Sequence, residues 1–227
     1  MSTNTQPLWK LLGVLFKPHP WHGVSPGEHV PDRLQCFIEV VPSDTLKYEI
    51  DKISGYLRVD RPQKYSNICP ALYGFVPQTF CGEAVAALSS EKTGRNLEGD
   101  GDPLDICILT DRPIQHGDIV VECIPIGGLR MIDHDEADDK IIGVLKDDAT
   151  YGSWTDVGQV PAPMLDRLRH YFLTYKQAPD SISSGCEITH VYGRAEAHEV
   201  IRRSLSDYAS RFGDLEEILG AALSVMR

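Results

Sequence analysis

The residues best suited to chemistry in this sequence lie in one short acidic run. Glu98 to Thr110 reads E-G-D-G-D-P-L-D-I-C-I-L-T and places three aspartates within six positions, Asp100, Asp102 and Asp105. Carboxylates this close disfavour each other's ionisation unless a cation lies between them. Hard divalent ions such as Mg²⁺ and Ca²⁺ take oxygen ligands of this kind, so the run indicates a metal site.

A structural turn is the competing interpretation of this run. Glycine permits φ > 0 and aspartate bonds its own backbone in turns, and both residue types recur here. The apolar residues that follow predict a buried strand from Leu104, with Asp105 on the opposite face. An EF-hand loop is excluded, because its fifth position needs Asp or Asn and its sixth needs Gly, whereas counting from Asp100 these positions hold Leu104 and Asp105.

A second acidic cluster lies between two predicted strands. The segment M-I-D-H-D-E-A-D-D-K ends at Lys140, after a strand predicted at Leu129–Ile132 and before one predicted at Lys140–Leu145. A charge run of this type is usually a solvated loop. Two acidic loops that interrupt barrel-like strands can also converge at one end of a sheet, so both interpretations stay open.

A predicted hairpin carries further charged residues. The alternation in K-Y-E-I places Lys47 and Glu49 on one face of a strand. Asp51–Gly55 is predicted to turn, and Tyr56–Arg61 to return as the partner strand, which brings Arg61 to the same region. The structural alternative is a surface salt pair, which contributes little to stability when it is exposed.

The other predicted elements supply a mainly β scaffold with late helices. Period-2 patterns predict strands, and helical spacing predicts two helices, the first beginning near Pro161 and Pro163. Gly127-Gly128 is expected to bend or bulge the chain between two strands. The predicted strands are Leu34–Val40, Ile119–Ile126 and Cys186–Tyr192, and the predicted helices are Met164–Tyr175 and Ala195–Phe212.

Three segments are assigned to the periphery of a single domain covering residues 1–227. Residues 1–32 are expected to form an N-terminal arm over the core, because they are rich in Pro, His and Gly. Cys81–Leu97 has few large apolar residues and is interpreted as an inserted, exposed loop or flap. Residues 214–227 form a C-terminal tail, where Asp214–Glu217 matches a helix-capping signal.

Composition and charge exclude some classes of partner. The chain has 22 Lys and Arg against 33 Asp and Glu, a formal net charge of −11, which argues against non-specific binding to nucleic acid or an anionic membrane. The apolar run Leu8–Phe16 is short and interrupted by Lys10, so we expect neither a secretion signal nor a membrane helix. Six scattered cysteines without a C-x-x-C pair are typical of reduced thiols in a cytoplasmic protein.

An ordered series of short motifs between Leu34 and Lys176 resembles the soluble family I inorganic pyrophosphatases. The segment D-G-D-P-L-D matches that family's metal-binding signature, and Cys69 departs from the tyrosine found in many bacterial members. The further matches are I-E-V at Glu39, K-Y-E-I-D at Lys47 and Glu49, V-D-R at Arg61, Y-G at Tyr73, the acidic loop Asp133–Lys140, and Y-K at Tyr175 and Lys176.

The resemblance implies an OB-like five-stranded β-barrel with flanking helices, in which several Mg²⁺ ions hold pyrophosphate at the barrel mouth. It implies that Asp100, Asp105 and Asp138 bind one ion, that Asp105 helps to bind a second, and that Asp133 with Asp138 binds a third. Asp102 is then the base that orients and deprotonates the attacking water.

The resemblance also assigns the remaining residues of the predicted site. Glu39 and Glu49 act through water rather than directly on a metal. The phosphate contacts are expected to be Lys47, Arg61, Tyr73, Lys140, Tyr175 and Lys176.

The predicted activity is Mg²⁺-dependent hydrolysis of pyrophosphate to two orthophosphates by a homo-oligomer. Charge neutralisation by metals and cations is what lets a nucleophile approach so anionic a substrate. The rival hypothesis is a non-catalytic protein that binds divalent metal or polyphosphate. The separated lysines, Arg61 and the tyrosines favour the enzyme, because metal storage would not require them.

Overall fold

The computed structural model describes residues 17–177, 180 and 185–213, and these form ten β-strands, three α-helices and one short 3₁₀ helix. The 3₁₀ helix is Val157–Gln159. The strands are β1 Leu34–Val40, β2 Leu46–Ile50, β3 Leu57–Pro62, β4 Leu72–Phe75, β5 Glu98–Gly99, β6 Asp105–Leu109, β7 Ile119–Asp133, β8 Glu136–Ala137, β9 Lys140–Leu145 and β10 Cys186–Gly193. The α-helices are α1 Glu83–Thr93, α2 Ala162–Thr174 and α3 Arg194–Phe212.

Five of the strands pair in a closed ring. The ladder order is β1, β4, β6, β9 and β7, and β7 then pairs antiparallel with β1 to close it. The β6 and β9 strands are parallel, whereas the other four pairings in the ring are antiparallel. This ring confirms the predicted mainly β fold built on five strands.

Strand β7 is the longest element of the sheet and contains both strands predicted around Gly127-Gly128. The pair does not end the strand, since β7 runs unbroken from Ile119 to Asp133. The predicted irregularity is present as a register shift against β9 between Pro125 and Gly127. The long strand also pairs with β10, so it connects the ring to the C-terminal part of the described chain.

Strands β2 and β3 form a separate two-stranded hairpin, as the alternation in this region predicts. Lys47 pairs with Arg61 in its register, and a shift follows between Lys47 and Tyr48. The hairpin therefore brings the charged residues of both strands to the same place.

The segment 81–97 was predicted to be an exposed loop, and that prediction is wrong. It contains α1, whose Val85 and Leu88 are buried in the core shared with the ring. The reason lies in a distant residue. Asp207 of α3 accepts hydrogen bonds from the backbone N–H groups of Gly82, Ala84 and Val85 at 2.9–3.0 Å, and so satisfies the first turn of α1.

The described part of the N-terminal segment lies against helix α3. Trp21 is only 4% exposed, and its indole N–H donates to the Thr79 carbonyl at 2.7 Å. Its ring meets the edge of Phe212 with 5.4 Å between centroids. The sequence predictions for Leu8–Phe16 and for residues 214–227 fall outside the described residues.

No helix among the described residues combines the length and the apolar character needed to cross a membrane.

Candidate active site

The acidic run that begins at Glu98 forms a tight turn before β6, at one end of the ring. Gly101 has φ 72°, a left-handed conformation that glycine adopts without strain. A Cβ on Gly99 would lie 2.2 Å from the Cys81 carbonyl oxygen, so only glycine fits there. The backbone N–H of Asp102 donates to the Asp100 carboxylate at 2.9 Å, which fixes the two aspartates relative to each other.

Asp105 begins β6, one residue later than predicted, and lies at the centre of the charged cluster. The hydroxyl of Tyr73, on the neighbouring strand β4, donates to Asp105 Oδ2 at 2.6 Å. The ammonium of Lys140, the first residue of β9, contacts both Asp105 and Asp138. The parallel pairing of Asp105 with Lys140 explains this contact, because it starts the two strands side by side.

Asp133 ends β7 on the other side of the second acidic loop and is held by two cationic or polar neighbours. Lys176 contacts its carboxylate, and His134 lies 2.8 Å from Asp133 Oδ1. Burial acts against ionisation, but Lys176, His134 and Cys186 together lower the pKa of Asp133. Tyr175, at the end of α2, has a buried hydroxyl whose pKa rises to about 12 because of desolvation.

The hairpin closes a further side of the cluster. Lys47 contacts Glu49 on the same strand, and its ammonium lies 3.7 Å from Asp60. The guanidinium of Arg61 contacts Asp60 and lies 5.7 Å from the centre of the Tyr175 ring. One nitrogen of Arg61, Nη2, is buried and has no hydrogen-bond partner among the described residues, and a bound anion would supply one.

Glu39 lies beneath the cluster rather than on its surface. Its Oε1 accepts the backbone N–H of Ile50 at 2.6 Å, which ties β1 to the hairpin. Burial raises the pKa of Glu39 to about 8, and the charge of Asp105 adds to the effect. A carboxylate in this position responds to charge at Asp105 without touching it.

The buried carboxylates of the two acidic loops repel each other. Desolvation, together with the charge of Asp138, raises the pKa of Asp100 to about 8. Desolvation also raises the pKa of Asp138, against the attraction of Lys140. Burying such groups is unfavourable unless cations balance them, and Lys140 balances only part of the charge.

We call this cluster the acidic mouth and define it by its aspartates, Asp100, Asp102, Asp105, Asp133 and Asp138. Direct contacts, ring packing and charge interactions connect them to the predicted cationic and tyrosine residues, so the structure brings all the predicted site residues to one end of the ring. The two acidic loops therefore converge. Their predicted roles in binding and catalysis remain predictions.

Two residues of the cluster were not singled out from the sequence. Asp60 contacts Lys47 and Arg61, and Lys52 contacts Asp102 from the turn of the hairpin. Asp60 belongs to the V-D-R motif, in which only the arginine was predicted to be a site residue. Lys52 directly follows the K-Y-E-I-D motif, but its contact depends on how the hairpin folds over the acidic turn.

The acidic mouth has the chemistry of a hard-cation site. Its donors are carboxylate oxygens, and the mutual repulsion of Asp100 and Asp138 is what a divalent cation would relieve. Within the described residues, no three His, Cys, Asp or Glu side chains already surround one point as metal ligands. Lysine ammonium groups lie against several of these carboxylates instead.

Comparisons with known proteins agree with this geometry. The sequence profile of the family described as "Inorganic pyrophosphatase" matches residues 36–209. The inorganic pyrophosphatase of Chlamydia trachomatis serovar L2 is 48% identical over 199 residues, which cover 86% of this chain and 95% of that protein. The soluble inorganic pyrophosphatase 2 of Chlamydomonas reinhardtii is 34% identical over 198 residues, covering 86% of this chain and 90% of that protein.

A solved structure gives the same result at the level of the fold. The inorganic pyrophosphatase of Thermus thermophilus superposes with a TM-score of 0.68 and 30% identity, covering 82% of this chain and 96% of that one. The fold and site define a metal-dependent phosphoric anhydride hydrolase. The chain belongs to the soluble family I inorganic pyrophosphatases, enzymes that hydrolyse pyrophosphate with a divalent metal cofactor.

Proposed function

We propose that this chain hydrolyses pyrophosphate with Mg²⁺ as its activating ion and with Asp102 as the base that orients and deprotonates the attacking water. The observation that carries the proposal is the alternation of carboxylates and cations in the acidic mouth. Lys140 lies between Asp105 and Asp138, and Lys176 lies against Asp133. Carboxylates alone would suit a metal store, whereas cations beside them also suit a polyanionic substrate.

The metal ligands we propose are four of the five aspartates. Asp100, Asp105 and Asp138 serve one ion, Asp105 serves a second, and Asp133 with Asp138 serves a third. Bound Mg²⁺ neutralises phosphate oxygens and makes water easier to deprotonate. The all-oxygen donor set supports Mg²⁺, which prefers such ligands at about 2.0–2.1 Å.

Asp102 is proposed as the base because its environment differs from that of its neighbours. Its side chain is 49% exposed at the tip of the turn, where water reaches it. Its backbone N–H donates to the Asp100 carboxylate, which fixes the position from which the Asp102 side chain extends. Lys52 contacts it and places a cation beside the proposed base.

The phosphate groups are proposed to bind the cations and hydroxyls that surround the aspartates. A substrate oxygen would supply the missing partner of Arg61 Nη2. Glu39 and Glu49 are proposed to act through water, consistent with the position of Glu39 beneath the cluster. The proposed phosphate contacts are Lys47, Arg61, Tyr73, Lys140, Tyr175 and Lys176.

A phosphate-release assay tests this proposal directly. The purified protein should release two orthophosphates per pyrophosphate in Mg²⁺ and none in excess EDTA. ATP with Mg²⁺ should be hydrolysed far more slowly, because the acidic mouth has no apolar slot for a base among the residues we assign to it. Pyrophosphate binding without release at any Mg²⁺ concentration would favour a non-catalytic binding protein.

Replacement of Mg²⁺ by Ca²⁺ tests the choice of metal. Ca²⁺ takes more ligands at about 2.3–2.6 Å, so it should widen the site, misplace the water and inhibit turnover. Equal turnover with both ions would show that the site is not tuned to Mg²⁺.

We further propose that the enzyme works in the cytoplasm as a homo-oligomer. Five of the cysteines are buried thiols, which suits a reducing compartment, namely Cys36, Cys69, Cys81, Cys107 and Cys123. Light scattering after size exclusion would give the mass of the assembly, and a mass equal to one chain of 25.2 kDa would contradict the oligomer.

A further inference from the structure

Arg130 is a fully buried charge that the proposed chemistry does not use. It lies on β7 with 0% exposure, beneath helices α1 and α3. Its Nη1 lies 2.7 Å from Asp139 Oδ2 and also donates to the Ser89 hydroxyl of α1 at 2.5 Å. Its Nη2 donates to Glu196 of α3 at 2.7 Å. The guanidinium therefore joins both helices to the segment before β9.

Asp139 is held by a second donor besides Arg130. The Tyr192 hydroxyl, from β10, donates to the same Oδ2 at 3.0 Å, and the Arg130 guanidinium lies 5.1 Å from the Tyr192 ring centre. Arg130 Nε and Asp139 Oδ1 are buried and lack a partner among the described residues. The pair therefore has a high desolvation cost for a core position, because replacing such a pair by apolar side chains of similar volume often leaves a protein equally stable or more stable.

The position of Asp139 in the chain connects this buried pair to the acidic mouth. Asp139 lies between Asp138 and Lys140, in the two-residue gap between β8 and β9. Side chains alternate in extended chain, so anchoring Asp139 inward turns its two neighbours to the other side. That side is where Lys140 contacts Asp105 and Asp138.

Helix α1 supports the same place from another direction. It packs against β5 and β8, the short strands that lead into the first acidic turn and into Asp138. Ser89 of α1 binds Arg130, so the helix, the arginine and Asp139 form one connected support behind both acidic loops.

We propose that Arg130 is a positioning residue for pyrophosphate hydrolysis, which fixes Asp139 from behind and thereby sets Asp138 and Lys140 in the acidic mouth. This inference rests on the proposed function, since it takes Asp138 as a metal ligand and Lys140 as a phosphate contact. Arg130 does not touch the substrate. Its effect is on where two other side chains point.

The test is the double variant Arg130→Met/Asp139→Leu, which replaces the buried ion pair by apolar side chains. It should fold with a Tm near that of the wild type, because the two fully buried charges are removed together, and Glu196, which loses Arg130, has a partly exposed side chain 3.5 Å from His190. Its kcat should fall roughly 10- to 100-fold, the usual cost of losing a group that orients ligands. Calorimetric titration with Mg²⁺ alone should show weaker binding, which a purely structural role would not produce in a protein of unchanged stability.

Glu196→Gln is the matched control. It alters the other ion pair of the same guanidinium, on the helix side, and keeps a hydrogen-bond acceptor there. It should leave kcat and Mg²⁺ binding within about twofold of the wild type, since a neutral acceptor still satisfies the donor. If the double variant does not fold, Arg130→Lys replaces it. That variant keeps the charge but loses the fork whose two nitrogens join Asp139 and Ser89 to Glu196, and should show the same defects to a smaller degree.

Wild-type kcat and Mg²⁺ affinity in a folded double variant, or in folded Arg130→Lys where the double variant does not fold, would overturn the inference. Asp138→Asn separates this failure from failure of the proposed function. If Asp138→Asn loses Mg²⁺ affinity while the variants at Arg130 do not, only the positioning role is wrong. If Asp138→Asn itself binds Mg²⁺ like the wild type, the metal site was assigned to the wrong residues.

Discussion

The acidic mouth and the helical layer of α1 and α3 show two different ways in which charge is held in one chain. In the acidic mouth, carboxylates crowd together and contact lysines that balance only part of their negative charge. In the helical layer, the Asp207 carboxylate has a dedicated set of three backbone N–H donors at the first turn of α1. The carboxylates of the acidic mouth would therefore be stabilised by a bound cation, whereas Asp207 already has its hydrogen-bond donors within the protein.

The contrast indicates how the enzyme separates binding from support. If the acidic mouth binds metal and substrate as proposed, the bound cations would relieve the repulsion among its carboxylates, so binding there would be favourable. Satisfied charges in the helical layer hold backbone in place at all times. Substitutions in the two regions should therefore be distinguishable, because the first should alter turnover and metal binding and the second should alter stability.

The largest effect is expected from Asp102→Asn. The amide keeps the shape and a polar contact but cannot accept a proton, so turnover should fall by roughly 10² to 10⁴. Most of the Mg²⁺ affinity should remain, because Asp102 is not proposed as a ligand. Steady-state kinetics and calorimetry measure the two quantities. The same change at the exposed Asp135 is the control, and equal loss there would show that general acidity, not a specific base, is required.

Asp105→Asn should behave differently from its neighbour. It removes charge from a proposed ligand of two ions, so Mg²⁺ affinity should drop and turnover should fall at limiting metal. Raising the Mg²⁺ concentration should recover part of the activity, because occupancy follows mass action. Turnover against Mg²⁺ concentration checks this. Rescue of the Asp102 variant by excess metal, without rescue of the Asp105 variant, would reverse the assignment of base and ligand.

Local patterns in the sequence were sufficient for most of the elements that carry the acidic mouth. Strand β9 was predicted at its observed bounds, and the hairpin of β2 and β3 was predicted from alternation and a turn. The convergence of the two acidic loops needed more than pattern, because it depends on the parallel pairing of Asp105 with Lys140, 35 residues apart. The family resemblance supplied that step.

Helix α1 was missed because its signals are not local. Its buried side chains are few, and Leu88 is the largest of them beside Val85, Ala86 and Ser89, so the segment lacks an evident apolar stripe. Its cap comes from Asp207, more than 120 residues away in the chain. Arg130 was missed for a related reason, since a single arginine within an apolar strand gives no indication of the two carboxylates and the serine hydroxyl that distant segments bring to it.

The helical layer is tested by Asp207→Ala. The change leaves three backbone N–H groups of α1 without their acceptor, and loss of a helix cap costs about 1 to 2 kcal/mol. For a chain of this size the Tm should fall by about 3 to 6 °C. Turnover at a temperature where the variant is folded should change little. Glu199→Gln, on the exposed side of α3, is the control and should lower the Tm much less.

A fall in turnover equal to that of Asp102→Asn would contradict the separation of binding from support. It would mean that α1 transmits its position to the acidic turn so strongly that the two regions act as one.

The last test measures unfolding rather than turnover and concerns Glu39, a buried carboxylate that accepts a backbone hydrogen bond beneath the acidic mouth. Its pKa in the folded protein is raised by burial to about 8, from an ordinary value of 4.5. The folded state thus favours the protonated form, so the contribution of Glu39 to stability is full below pH 4.5 and is lost as the pH rises to about 8. Glutamine resembles the protonated form at every pH. In EDTA, Glu39→Gln should have nearly the same Tm as the wild type at about pH 5. At about pH 9 its Tm should be higher than that of the wild type by about 3 °C or more.

Glu122→Gln provides the opposite case for the same measurement. Lys146 lowers the pKa of Glu122, so its contribution to stability is present at neutral pH and is lost as the pH falls. Its replacement should not raise the Tm at any pH. Thermal unfolding of both variants and the wild type across this pH range, with the metal removed, measures the comparison. A constant difference between Glu39→Gln and the wild type at all pH values would mean that Glu39 is ionised in the metal-free fold, and that the groups around it already balance its charge.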